Sequence, residues 1–324
     1  MRHSPWAYRV NMMRVTLLRD STPFVIRQQI TALDASRQQE HPDSARTIES
    51  NSAALVYHDS GSSVGRQDLI DLWMNRELIW TFAVRDLKTR YRQSFIGFFW
   101  AVIQPLVTML LYATLFKLLG RSPVSGRLEY SLLCGLIPWQ VFSGTVTRCT
   151  TCLVANRPLI TKVYFPRLVL PVAMMLIGIV DFGIALSVLC GIMLIGGALP
   201  SWHILFLPLI VVWILTFVFA AGLWLSALNA LWRDVQQAVP VVLQIGMFCS
   251  PVVYEMREII PVDYQWWYSL NPLVGIIESF RWSVLATAGP RLDTSLLAAL
   301  ATLVMLCTGV IFFRRIERHI EDRI

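Results

Sequence analysis

From residue 96 onward the sequence is built of six apolar runs, each close to the roughly 20 residues that carry a helix across a bilayer core. The runs fall at 96–116, 132–154, 168–194, 204–230, 235–253 and 296–313. In hydrocarbon every backbone N–H and C=O must find a partner within the protein, so runs of this length fold as helices. Pro105, Pro138, Pro171, Pro208 and Pro240 would break soluble helices but are tolerated inside membrane bundles. The expected fold is an all-α integral membrane protein with six transmembrane helices. Only 15% of the 324 residues are charged, against about 25% in soluble domains, which fits lipid as the main solvent.

The net charge of +7 is distributed by topology. The short loop at 157–167 carries Arg157, Lys162 and Arg167 without an acid, and the tail opens with Arg314, Arg315 and Arg318. The loop at 197–202 has no charge. Basic short loops stay on the cytoplasmic side, so both termini are expected inside, as an even number of spans requires. This pattern accounts for the basic excess without a nucleic-acid partner. The first thirty residues lack the uninterrupted apolar core of a secretory signal peptide, so insertion is expected to use the internal helices.

Residues 1–66 are polar and mixed and read as a disordered cytoplasmic extension. Residues 67–94 read as an amphipathic interface helix, with its regular pattern over 69–92. Ile79, Phe82, Ala83, Leu87 and Tyr91 share an apolar arc, Trp73 and Trp80 are of the type that anchors at a membrane surface, and Arg85, Lys88 and Arg92 gather opposite. Asp86 and Arg90, spaced i, i+4, are placed to pair. The basic side is suited to lipid headgroups, anionic ones above all.

Catalytic signatures are missing. No G-x-x-x-x-G-K-[ST] loop, H-E-x-x-H or G-x-S-x-G occurs, and His3, His41, His58, His203 and His319 do not cluster. No metal site is expected: the C-x-x-C at Cys149 and Cys152 has no second pair or nearby histidine, and the six cysteines read as small apolar packing residues. Asp181 stands alone in the third run, where a carboxylate marks a transport pathway or bonds to a neighbouring helix. Arg148 lies toward the cytoplasmic end of the second run, where its side chain can snorkel. Tyr112, Phe116, Trp139, Phe142 and Trp224 are either faces for a sugar polymer or interfacial anchors. Between the fifth and sixth runs, Glu278 and Arg281 interrupt a helical apolar pattern, which suggests a short external or re-entrant helical hairpin. At 156–167, Asn156 is placed to cap a short helix, Pro158 suits its first turn and Pro166 ends it. That loop is either a docking element for a soluble partner or a basic turn that sets topology.

RDLKTRYRQSFIGFFWAVIQPL (85–106), NRPLITKVYFPR (156–167), VDFGIALSVL (180–189), WRDVQQAVPVVLQIGMFCSPVVY (232–254) and YSLNPLVGIIESFR (268–281) occur in this order. In order and spacing they resemble the permease subunits of ATP-binding-cassette exporters of O-antigen, capsular polysaccharide and teichoic acid. The resemblance implies a homodimer of six-span permeases in the bacterial inner membrane, served by two copies of a separate ATP-binding subunit. ATP and Mg would be bound there, and this chain would carry no cofactor. It implies that Asn156, Arg157, Leu159, Lys162, Tyr164, Phe165 and Arg167 form the coupling helix, and that residues 79–92 lie beside the gate. Residues 258–281, with Glu278 and Arg281, would form the external helices. The cargo implied is a polyprenyl-pyrophosphate-linked glycan, within reach of Arg85, Lys88 and Arg92. Exporters of drugs, haem or lipids, and a membrane-embedded transferase acting on lipid-linked sugar, are the alternatives.

Overall fold

The computed structural model describes residues 66–92, 99–118, 128–163, 165–287 and 289–323. The extension at 1–66 therefore lies almost entirely outside the described residues, as do Tyr164 and the side chain of Arg92.

The described residues are all-α. Helices α1 (Arg66–Met74) and α2 (Arg76–Arg92) divide what the periodicity presents as one helix. The break is at Asn75, whose amide donates to the Asp71 carbonyl at 2.8 Å and competes with the helical pattern. Ile79, Phe82 and Ala83 of the apolar arc are buried against the protein, while Trp80 and Lys88 are exposed. Then follow α3 (Phe99–Leu118), α4 (Leu128–Ala155), the short α5 (Arg157–Ile160) and α6 (Val169–Ile195). A 3₁₀ turn at Trp202–Phe206 leads into α7 (Leu207–Leu231), with Pro208 in the first turn, where its missing N–H costs nothing. The chain continues through α8 (Val235–Phe248), α9 (Met256–Ile259), α10 (Val262–Tyr268), α11 (Pro272–Leu285) and α12 (Leu292–Arg323).

Among the described residues, three segments are long and apolar enough to cross a membrane: Val169–Ile195, Trp202–Leu231 and Leu292–Glu317. Val102–Leu118 and Val235–Phe248 are shorter apolar helices. The chain is a multi-span helical membrane protein.

Helix α4 lies at the centre, packed against α3, α6, α7, α8 and α11. Its polar residues Ser131, Thr145 and Thr150 are buried among neighbours instead of meeting lipid. Close approach to α6 depends on Gly178: a Cβ there would lie 2.4 Å from Thr145 Oγ1. Around its first half, Leu133, Ile137 and Phe142 pack with Phe182, Phe217, Ile276 and Phe280. Around its second half, Cys149, Cys152 and Leu153 pack with Phe82, Phe165, Leu170, Leu223 and Phe313.

Two boundaries depart from the apolar pattern. Helix α8 stops at Phe248, because Pro251 disfavours a helical Ser250 and Cys249 closes the last turn. Helix α12 continues well past the apolar run, to Arg323. Helix α11 is also more enclosed than a helix at the rim: it packs against α4, α7 and α12, with Ile276, Ile277 and Phe280 fully buried. Asn271 starts it, accepting the Leu273 N–H at 3.1 Å. Ala286 ends it in the left-handed conformation at φ 53°.

Candidate functional site

Where the second half of α4 meets α2 and α6, the three helices bring together a cluster of ions. Asp181 sits on α6 twelve residues from its start, about 18 Å along the axis. A lone carboxylate within a span costs roughly 2.5–3.5 kcal/mol on insertion scales. Here two guanidiniums meet it. Arg90 Nη1 of α2 donates to both Asp181 oxygens, at 3.0 and 2.8 Å, and Arg148 Nη1 of α4 lies 3.1 Å from Oδ2. Arg148 Nη2 also donates to Thr145 Oγ1 at 2.8 Å, and its Nε is buried without a hydrogen-bond partner. The pairing foreseen within α2 gives way to one between helices: Asp86 takes Arg85 at 2.7 Å, and Arg90 turns to Asp181. The lone acid of one span and the lone base of another were each visible in the sequence. What was missed is that they face one another. Beside them opens a cavity of about 220 Å³, lined by Asp86, Arg90, Arg148, Thr151, Cys152 and Asn156, with Met174 and Ile177 as its apolar wall.

Helix α2 does not lie apart from the bundle. Phe82 packs against Phe165, just before α6, at 5.7 Å between ring centroids, and Arg90 reaches Asp181 deeper along α6. The two helices therefore run side by side in the same direction. Arg85 stacks over Phe82 and donates through Nη2 to Asn156 Oδ1 at 2.8 Å. Asn156 in turn donates to the Cys152 carbonyl at 2.9 Å. Its side chain therefore does not cap α5, contrary to the sequence pattern, because both of its polar atoms are engaged toward α2 and α4.

The loop residues divide into two groups. Leu159 and Lys162 are exposed and Arg157 is partly so, and Val163, which the sequence reading passed over, is exposed as well. Asn156, Phe165 and Arg167 are buried. Arg167 donates to the Glu317 carbonyl of α12 and so ties the loop's end to the last helix. Helix α5 ends at Ile160, six residues before the expected stop at Pro166, and a turn at Thr161 closes it.

A second polar cluster lies at the opposite end of α4. Arg281 of α11 is 2% exposed, yet donates to the carbonyls of Ser131, Val252 and Tyr254 at 3.3, 2.9 and 2.9 Å. Glu278 lies 3.4 Å away and also accepts the Met256 N–H at 3.3 Å. Burial pushes the Glu278 carboxyl above the usual carboxylate range, with Arg281 opposing the shift. Gly135 makes room for the cluster, because a Cβ there would lie 2.0 Å from the Val252 carbonyl oxygen.

Among the aromatic candidates, Trp139 and Phe142 are buried, and Phe142 stacks on Phe217 at 4.9 Å. Trp224 stacks on Phe312 at 4.2 Å, while Tyr112 and Phe116 are half-buried on α3. Among the described residues no group of histidine, cysteine and acidic side chains is placed to hold a metal.

The family model described as ABC-2 type transporter matches residues 77–285, from the start of α2 to the end of α11. The chain is 30% identical over 254 residues to an O-antigen export system permease protein, RfbA, of Myxococcus xanthus, covering 78% of this chain and 97% of that protein. It is 31% identical over 209 residues to an O-antigen export system permease protein, RfbA, of Klebsiella pneumoniae, covering 63% and 79%. Against the polysialic acid transport protein KpsM of Escherichia coli the figures are 27% over 244 residues, 72% and 91%. The matched region holds both polar clusters, and the chain belongs to the ABC-2 type transporter family as a non-catalytic membrane permease subunit.

Proposed function

We propose that this chain is the membrane-spanning permease of an ATP-driven exporter that moves a lipid-linked polysaccharide across the bacterial inner membrane. The observation that carries the reading is the match along 97% of an O-antigen export permease. A polysialic acid transport protein matched along 91% of its length supports a glycan over drug, haem or lipid cargo. On this reading the six spans are α3, α4, α6, α7 with its preceding 3₁₀ turn, α8 and α12, and both termini are cytoplasmic. Helices α10 and α11 form the hairpin on the outer side, with α11 folded back against the spans.

Two permeases would form a homodimer served by two ATP-binding subunits, which hold the ATP and Mg. Leu159, Lys162 and Val163 are exposed and would meet that subunit, while Phe165 and Asn156 would carry its movement to α2. The exposed Lys88 and the rest of the basic side of α2 would attract anionic lipid at about 1 kcal/mol per residue. Of the aromatic residues, Tyr112 and Phe116 are the better placed to line a pore between copies, since Trp139 and Phe142 are enclosed within one chain. Deleting the gene tests the reading. Surface glycan should disappear while its lipid-linked form accumulates inside, and surface glycan at the parental level would refute it.

A further inference from the structure

The cavity next to this ion cluster has an uncommon chemistry: two guanidiniums from different helices line it and share one carboxylate, Asp181, which does not itself line it. We propose that Arg90 and Arg148 form a receiving site for the phosphate or diphosphate headgroup of a membrane lipid, and that Asp181 holds both guanidiniums until that headgroup displaces it. The proposal deepens the export reading and rests on it, since it assigns the place where a lipid-linked cargo is first held.

A guanidinium offers five N–H donors in a fixed fork, and a carboxylate cannot use all of them. Arg148 spends Nη1 on Asp181 and Nη2 on Thr145, and leaves Nε buried without an acceptor. A phosphate ester has more acceptor oxygens than a carboxylate and matches the fork in bidentate fashion. The Arg90 side chain is 42% exposed, so a headgroup can reach it without unfolding any element. At about 220 Å³ the cavity holds far more than one water, whose share of liquid volume is about 30 Å³.

The charges also suit an exchange. The ion pairs of Arg85, Arg90 and Arg148 include two carboxylates, Asp86 and Asp181. Asp86 lines the cavity and repels an anion, but Arg85 neutralises it at 2.7 Å. Asp181 is the internal competitor that keeps the arginines from binding every passing anion. Asn156 lines the same cavity, so a bound headgroup would lie next to the start of the 156–167 loop.

The test uses the full chain in dodecyl maltoside micelles, which carry no phosphate, titrated with farnesyl diphosphate or inorganic pyrophosphate and read by tryptophan fluorescence. Arg90→Gln and Arg148→Gln should each weaken farnesyl diphosphate binding about tenfold, the loss of one charge-assisted bidentate contact. Asp181→Asn should tighten it severalfold, because the competitor is gone. Lys117→Gln, an equal charge change at the exposed Glu129 pair, should leave it unaltered. If Arg148→Gln fails to fold, Arg148→Lys is read instead and should still bind more weakly, since it keeps the charge and loses the fork. Parental affinity in the arginine variants overturns the site, as does weakening in Asp181→Asn, which would make the triad a structural bridge. Inorganic pyrophosphate bound as tightly as farnesyl diphosphate overturns the lipid-headgroup assignment. Binding is measured on the chain alone, so its failure leaves the export reading standing; that reading fails only through the surface-glycan test.

Discussion

Replacing Arg281 by methionine keeps most of the side-chain volume and removes the donors that join α11 to the start of α4 and to the segment after α8. Three backbone carbonyls, of Ser131, Val252 and Tyr254, lose a donor, and Glu278 loses its counter-charge. A buried acceptor stripped of its partner costs about 1–3 kcal/mol, and breaking a buried ion pair about 3–5 kcal/mol. These overlap, since Glu278 can take up a proton and the carbonyls keep a second lone pair. A net loss of about 3–5 kcal/mol is expected. For a domain of this size about 2–4 °C of melting temperature accompanies each kcal/mol, which places the Arg281→Met midpoint roughly 6–20 °C below the parent. The assay is thermal denaturation of the purified chain in detergent with a dye that fluoresces on reacting with thiols. Cys134 is fully buried next to Gly135 and becomes reactive only when this end of α4 opens. Gly135→Ala attacks the same contact from the other side, so the double variant should lose less than the sum of the two single losses. An Arg281→Met protein that melts within about 2 °C of the parent would show that this buried arginine contributes nothing to holding α11.

Phe165→Ala should lower stability by about 3–5 kcal/mol, as for a buried phenylalanine, and its effect on export would report on the fold before it reports on docking. Leu159→Asp, at an exposed position, should leave the melting temperature within about 2 °C of the parent but reduce co-purification of the ATP-binding subunit; undiminished recovery of the complex would remove α5 from that interface. Glu278 has its folded pKa raised by burial, so its contribution to stability is present below the ordinary carboxylate pKa and lost as pH rises through the raised value. Acidifying from neutral pH should therefore raise the parent's melting temperature more than that of Glu278→Gln, and parallel pH profiles would show that no such shift exists. The purified chain should not turn over ATP until the separate ATP-binding subunit is added, and turnover by contaminant-free chain alone would contradict its assignment as a permease.

The long apolar helices were legible because lipid leaves the backbone no alternative to helix, and α6 and α7 match the apolar runs to within a few residues. The buried face of α2 was legible for the same kind of reason: Ile79, Phe82 and Ala83 recur at helical spacing. The partners of charges were not. Periodicity places Arg90 beside Asp86, but the opposing span offered Asp181 at a depth where an unpaired carboxylate is costly. Asn156 misled in the same way. Its position before Pro158 has the form of a cap, yet Arg85 supplied a stronger, charged donor from a helix 71 residues away in sequence. Local patterns rank neighbours along the chain, and the site is made by neighbours across it. The burial of Arg281 was hidden for a further reason: its acceptors are backbone carbonyls, which leave no mark in the sequence.

The two polar clusters differ in a way that bears on which end of α4 can respond to a ligand. At its start, Arg281 donates to backbone carbonyls in a place almost closed to solvent, and a Cβ at Gly135 would already collide there. A guest anion has no entry, and backbone acceptors cannot leave without unfolding a turn. At its other end, Arg90 and Arg148 both meet the Asp181 side chain beside an open cavity, and a carboxylate can swing away at the cost of a rotamer change. Among the described residues the proposed exchange of anions therefore belongs to this end of α4. Arg90 belongs to α2, and α2 is bonded through Arg85 to Asn156 at the head of the 156–167 loop, so on the proposal above a change in the grip of Arg90 would be felt next to that loop. On the same proposal, the cluster at the start of α4 would stay fixed while the other exchanged its anion, and α4 joins the two within 28 residues, about 42 Å of continuous helix.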